Sequence, residues 1–312
     1  MFDSTSYSFP AYLSAKKSVD DRALNRHVWQ SLVNALPPLT PESPLRVLDV
    51  GAGTGVMLER MLEWRLLTDA AYTAIDADSG NIDSARQSLP RWAGEQGFRV
   101  SEAGAGRMLF ERDEQNISVE LEAIDIFAFI EREQNLRKWD LLVAHAFLDL
   151  MNLETTLPAL FNVVSPGGLF YFTINFDGAT IFEPEIDSHF DALIETLYHR
   201  TADERRIAHR PSGDSRAGRH LFHHLREAGA RILDAGSSDW VVFAGPDGYP
   251  GNEAYFLHFI INTIRAALLG HPQLDPERFS RWIDERHHQV EQGTLTYIAH
   301  QLDFLGRVPP RL

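Results

Sequence analysis

Val47-Leu-Asp-Val-Gly-Ala-Gly-Thr-Gly55 places three glycines and one acid within nine residues. Glycines between an apolar strand and a helix let the backbone turn tightly and come close to a ligand, although they also build ordinary turns. The spacing is Gly-x-Gly-x-Gly. It is not the Gly-x-Gly-x-x-Gly that leaves a helix N-terminus open to a pyrophosphate. Asp49, two residues ahead of Gly51, would repel a phosphate and suits an ammonium group. Asp76 ends the next apolar run, 21 residues past Gly55, where an acid can grip a ribose diol. Together these residues imply a nucleoside site and disfavour a nicotinamide dinucleotide.

A second set lies further along. Asp140-Leu-Leu-Val-Ala-His145 is an apolar strand closed by a histidine, with Asp149 and Asn152 just beyond. His145 reads two ways: as a general base, since an ordinary histidine can take a proton near neutral pH, or as a neutral ring bonded to backbone. Asp149 would orient it or the substrate. The stretch 205–224 concentrates arginine and histidine. Arg210, Arg216 and Arg219 would anchor an anionic substrate group such as a carboxylate, unless the run is simply a solvated helix face. His220, His223 and His224 share a helix face, but no thiolate or carboxylate–histidine set accompanies them, so no metal is expected. Phe176, with Phe182, Tyr198, Trp240, Tyr249 and Tyr255, offers aromatic wall or core.

These groups need a scaffold. Periodicity predicts a helix over 14–36, stopped by Pro37-Pro38, then strands at 45–50 and 72–76 with helices at 57–62 and 79–93. Short strands at 98–100, 107–111 and 117–123 suggest an inserted hairpin. A helix over 125–133, strands at 139–144 and 168–174 and a helix over 153–164 follow. Helices at 185–206, 217–228, 251–269 and 276–291, with strands at 230–233 and 295–304, complete the pattern. Alternating strands and helices imply an α/β fold: a doubly wound, mostly parallel seven-stranded sheet with helices on both faces, an inserted β-hairpin and a helical cap. The chain is expected to be one domain, 1–312. Its parts are an N-terminal helical cap (1–44), a ligand-binding half (45–177) and a substrate-side half (178–312).

The ordered motifs resemble those of class I S-adenosylmethionine-dependent methyltransferases over about 45–175, with the strand 295–304 fitting as well. The resemblance implies that Asp49, Gly51, Ala52, Gly53 and Gly55 form the cofactor loop. It implies that Asp76 and Ala77 lie at the ribose, Asp125 and Ile126 at the adenine, and His145 beside the methyl group. Ser165-Pro-Gly-Gly168 matches the family's turn before its fifth strand. Asp125 also suits the cap of the helix behind it, as does Asp78. The Asn-Pro-Pro-aromatic motif of enzymes that methylate base amines is absent; Ala144-His-Ala-Phe-Leu148 stands there instead.

Composition narrows the partners. With 29 basic and 44 acidic side chains the net charge is −15, which disfavours nucleic acid. There is no cysteine, hence no disulfide or thiolate chemistry. No apolar leader follows the start, and 255–269 is too short and too polar to span a membrane, so a cytoplasmic protein is expected. The expected function is S-adenosylmethionine-dependent methyl transfer to a small-molecule acceptor, with O- or C-methylation favoured. The alternatives are a non-catalytic S-adenosylmethionine-binding regulator and an aminopropyl-type transferase on the same fold.

Overall fold

The computed structural model describes residues 8–38, 40–104, 106–207 and 210–310, with the side chains of Ile207 and Arg210 outside that description. The first half runs α1 (Phe9–Ala23), α2 (Arg26–Ala35), β1 (Leu45–Val50), α3 (Val56–Glu63), β2 (Asp69–Asp76), α4 (Ser79–Glu95), β3 (Arg99–Glu102), β4 (Met108–Arg112), β5 (Gln115–Ala123), α5 (Ile126–Glu133) and β6 (Trp139–His145). A 3-10 turn at Leu148–Leu150 leads to α6 (Leu153–Phe161), β7 (Val164–Glu183), α7 (Ser188–Asp203), β8 (Arg206–Ile207), β9 (Arg210–Pro211), α8 (Ala217–Glu227), β10 (Arg231–Ser237), β11 (Trp240–Val242), α9 (Glu253–Leu268), α10 (Pro276–Glu291) and β12 (Thr296–Arg307).

Among the described residues the main sheet has ten strands in the order β10-β12-β7-β6-β1-β2-β5-β4-β3, with β11 pairing β12. The expected seven are β5-β2-β1-β6-β7-β12-β10; β12 alone among them runs antiparallel to its neighbours. Of the three further strands only β11 was not expected. β3 and β4 form the expected hairpin and extend the edge antiparallel to β5. β11 has only three residues, too few to carry a readable alternation. β1 is buried along nearly its whole length, as expected for the centre of a parallel sheet covered on both faces.

Three apolar clusters hold the layers. One packs α2, α3 and α4 on one face, and another packs α5, α6 and α8 on the opposite face. The third joins α1, α7, α9 and α10 to β7, β11 and β12. The single helix expected over 14–36 is two helices. Asn25 breaks it: its side chain caps α2 by accepting from His27 and Val28 N–H, while its own N–H donates to Asp303 (2.8 Å). α1 is thereby free to turn away and lie on α9, where Tyr12 stacks on Phe259 at 4.1 Å between centroids. Ser18 and Arg22 bind the fully buried Glu253 carboxylate from α1. β7 also runs well past the expected 174, because β12 pairs with it as far as Glu183.

Candidate functional site

Strand register assembles the site. β1 pairs in parallel with β2 (Asp49 opposite Ala74) and with β6 (Asp49 opposite Val143), so their C-terminal ends finish side by side. The Gly51–Gly55 turn, Asp76 and His145 therefore converge. Asp76 pairs with Ala123 on β5, which brings in Asp125 two residues on. A cavity of about 400 Å³ opens at this edge. Asp49, Gly51, Ala52, Gly53, Asp76, Ala77, Asp125, Ile126 and His145 all line it.

Gly51 sits at φ +65°, and a Cβ there would lie 2.4 Å from the Phe147 ring, so only glycine fits without displacing a wall of the cavity. Gly55 does not line the cavity. It is the left-handed N-cap of α3 (φ +85°), packed against Leu89, and its task is to turn the chain into the helix. Ala146, just past the end of β6, and Ile174, within β7, adopt positive φ (50° and 56°). Such strain in a non-glycine residue clusters where sites are built, and Ala146 lines this cavity.

The acids divide their duties. Asp76 accepts from Gly53 N–H (2.9 Å), Asp78 N–H (2.9 Å) and Asn81 Nδ2 (3.2 Å), so it clamps the glycine turn while facing the cavity. Asp125 caps α5 through Phe127 and Ala128 N–H, and also lines the cavity. Asp78 caps α4, as expected. Asp49 is 1% exposed. One of its oxygens accepts from Tyr72 Oη (2.7 Å), and the other, Oδ1, has no partner among the described residues. Burial raises its pKa to about 7, against the Tyr72 hydrogen bond and with help from Asp76.

His145 sits in a buried network that α1 supplies. Nε2 lies 2.8 Å from Asp20 and 3.2 Å from Arg60, and Nδ1 lies 2.8 Å from Thr173 Oγ1. Nε2 cannot serve both partners. The shorter contact assigns it as donor to Asp20, which leaves Nδ1 to accept the Thr173 hydroxyl. Burial, reinforced by Lys16 and Arg60 against the pull of Asp20, lowers its pKa to about 4, so the ring is neutral at pH 7. Asp20 also accepts from Lys16 Nζ (2.8 Å), Arg60 (3.3 Å) and Trp240 Nε1 (2.8 Å).

Asp149 lies on the 3-10 turn beside Leu150; Leu150 lines the cavity and Asp149 does not. Its Oδ1 is buried without a partner among the described residues, and burial raises its pKa to about 6. Arg216, Arg219 and Phe176 are not brought to the cavity. Arg219 is bound to Asp177 through backbone N–H and Nε (both 2.8 Å), Arg216 is the exposed N-cap of α8, and Phe176 packs on His199. The Arg210 side chain lies outside the described residues. Phe182 and Tyr198 wall a separate cavity of about 190 Å³. Among the described residues no group of three or more His, Cys, Asp or Glu is arranged to hold a metal ion.

Among the residues that sequence reasoning missed is a whole face of α1. Phe9, Leu13, Lys16 and Asp20 line the cavity at spacings of four, three and four. That is one helix face, and the spacing was there to be read; the neighbouring apolar stripe through Ala15, Val19 and Ala23 masked it. Arg60, on α3, and Thr173, on β7, carry no local sequence signal.

A family model described as a methyltransferase domain matches residues 22–215. No curated protein matches the chain. Among solved structures, the chain is similar to an S-adenosylmethionine-dependent methyltransferase from Thiobacillus denitrificans in complex with S-adenosyl-L-homocysteine. That alignment has 14% identity, covers 97% of this chain and 100% of that one, and has a TM-score of 0.47. A second, from Methanosarcina mazei and also described as S-adenosylmethionine-dependent, has 12% identity, 90% and 98% coverage, and a TM-score of 0.45.

Proposed function

The chain belongs to the methyltransferase-domain family, and on that premise we propose that it methylates a small, partly apolar acceptor at oxygen or carbon, with S-adenosylmethionine as its cofactor. Asp49 is the observation that carries the cofactor reading. A buried carboxylate oxygen with no partner, in the wall of the glycine-turn cavity, calls for a donor. The ammonium of the cofactor's amino-acid end is one. Asp76 and Ala77 would hold the ribose, and Asp125 and Ile126 the adenine, over the backbone of Gly51, Ala52 and Gly53. When bound, the cofactor supplies a methyl group on a positively charged sulfur, and the chain's own residues do the rest.

Those residues position the acceptor, exclude water and manage one proton. Phe9, Leu13, Phe147, Leu150 and Met151 give the cavity a largely apolar wall, which suits a small molecule with few polar groups. The charge of −15 weighs against nucleic acid. Among the described residues no helix is long and apolar enough to cross a membrane. His145, with both ring nitrogens engaged, serves as a positioning residue that fixes Asp20 and α1 against β6. Asp149, next to the cavity-lining Leu150 on the 3-10 turn, is the candidate for the base when the acceptor arrives protonated; its carboxyl, raised by burial to about 6, is ionised and basic near neutrality. Residues 1–312 act as one unit in this reading, with α1 as its cap.

The test is transfer of labelled methyl across a panel of phenols, carboxylic acids and activated carbon acids, with nucleic acid and protein as controls. Label appearing in nucleic acid or protein alone would overturn the acceptor class. Bound cofactor with no turnover across a broad panel would favour a regulatory binder. Once an acceptor is known, turnover should rise with pH through about 6, the direction expected as Asp149 loses its proton. Asp149→Asn should lower turnover by roughly a hundredfold and flatten that rise, whereas His145→Gln should keep it. A rise that survives in Asp149→Asn would remove the residue from the base role.

A further inference from the structure

One buried carboxylate outside the cavity holds two parts of the fold that meet at His145. Asp303, on β12, is fully buried. Its Oδ2 accepts the Asn25 N–H and its Oδ1 the Ile174 N–H, both at 2.8 Å. Asn25 joins α2 to α1, whose Asp20 holds His145 at Nε2 (2.8 Å). Ile174 follows Thr173, which holds the same ring at Nδ1 (2.8 Å). Ile174 is buried and β-branched yet sits at φ +56°, a conformation that persists only where its surroundings fix it. A carboxylate is a costly filling for such a position, and burial raises this one to about 6 in spite of both hydrogen bonds. What it supplies in return is two acceptor oxygens, which no neutral side chain of its shape offers.

We propose that Asp303 is a positioning residue of the site: by tying the α1–α2 junction and the strained Ile174 to one carboxylate, it keeps α1 seated on the cavity in register with Thr173 and His145. Asp303 touches no ligand in this arrangement and acts through the helix and the strand that it joins. A role in the core alone would leave α1 seated without it. The part of the proposal that concerns ligand retention rests on the cofactor reading above.

Hydrogen exchange, followed by mass spectrometry, would compare wild type with Asp303→Asn. The amide offers one acceptor oxygen and turns a donor toward the other N–H. Amides of α1 and of the segment around Ile174 should exchange about 10- to 100-fold faster, the range for a lost hydrogen bond to a charged group, and those of β1, β2 and β6 within about threefold of wild type. S-adenosylhomocysteine should dissociate at least about tenfold faster. Exchange raised evenly across the sheet, or unchanged in α1, overturns the proposal, as does an unchanged dissociation rate. If Asp303→Asn does not fold, the Asn25 arm is tested by itself. Asn25→Pro removes the N–H, and φ −66° at Asn25 with ψ 125° at Leu24 suits proline. Asn25→Ala loses the same side-chain cap but keeps the N–H. α1 should exchange at least about tenfold faster in Asn25→Pro than in Asn25→Ala; equal rates overturn the proposal. Wild type that binds no S-adenosylhomocysteine would refute the cofactor reading, while the exchange comparison still decides the role of Asp303.

Discussion

Asp20→Ala is expected to destabilise the protein by about 3–5 kcal/mol and to lower Tm by roughly 10 °C. Asp20 is 2% exposed and stands among Lys16, Arg60, His145 and Trp240. Burial opposes its ionisation, but Lys16, His145 and Arg60 outweigh burial and hold its carboxyl far below the usual range. A depressed folded pKa contributes stability that is complete above the unfolded value near 4 and is lost only as pH falls through the folded value. The penalty should therefore be full at pH 7. Truncation leaves the Lys16 ammonium buried with no hydrogen-bond partner and Arg60, 0% exposed, with Asp21 alone as its acidic partner. Asp20→Asn should cost less, since it keeps an acceptor for Trp240. Urea or thermal unfolding checks both; a change under about 1 kcal/mol for Asp20→Ala would mean the network does not hold α1 in place.

Asp49→Asn is expected to weaken S-adenosylhomocysteine binding about 10- to 100-fold at pH 7.5 and to remove its pH dependence. In the free protein burial puts the Asp49 carboxyl at about 7. An ammonium ligand binds the ionised form, so affinity should fall as pH drops below 7, approaching tenfold per unit. Wild-type Kd should thus rise at least tenfold between pH 7.5 and 5.5, and the Asn variant should show a flat profile over that range. The Tyr72 hydroxyl can still donate to the amide oxygen, which keeps the variant folded. Parallel slopes in the two proteins would assign the titration to another group.

The parallel half of the fold was readable because each strand there is a short apolar run followed by a turn. The glycine turn, Asp76 and Asp125 were readable for the same reason: strand ends in a parallel sheet meet at one edge, so motifs in sequence order become neighbours in space. What escaped depends on long-range packing. Asn25 looked like one more residue in a helical stripe until Asp303, 278 positions away, took its N–H. His145 could be placed at a strand end, but its tautomer is set by Asp20, 125 residues earlier, and its lowered pKa by burial, reinforced by Lys16 and Arg60. The basic run at 205–224 suggested an anion anchor from composition alone; Asp177, just past the expected end of the fifth strand, engages Arg219 instead.

The cavity at the ends of β1, β2 and β6 is proposed to be an S-adenosylmethionine site. Calorimetric titration of the 312-residue chain with S-adenosylhomocysteine and, separately, with NAD tests it. The account predicts a Kd between submicromolar and tens of micromolar for S-adenosylhomocysteine, on the order of 7–9 kcal/mol, and no measurable binding of NAD. Tight binding of NAD with none of S-adenosylhomocysteine would contradict it.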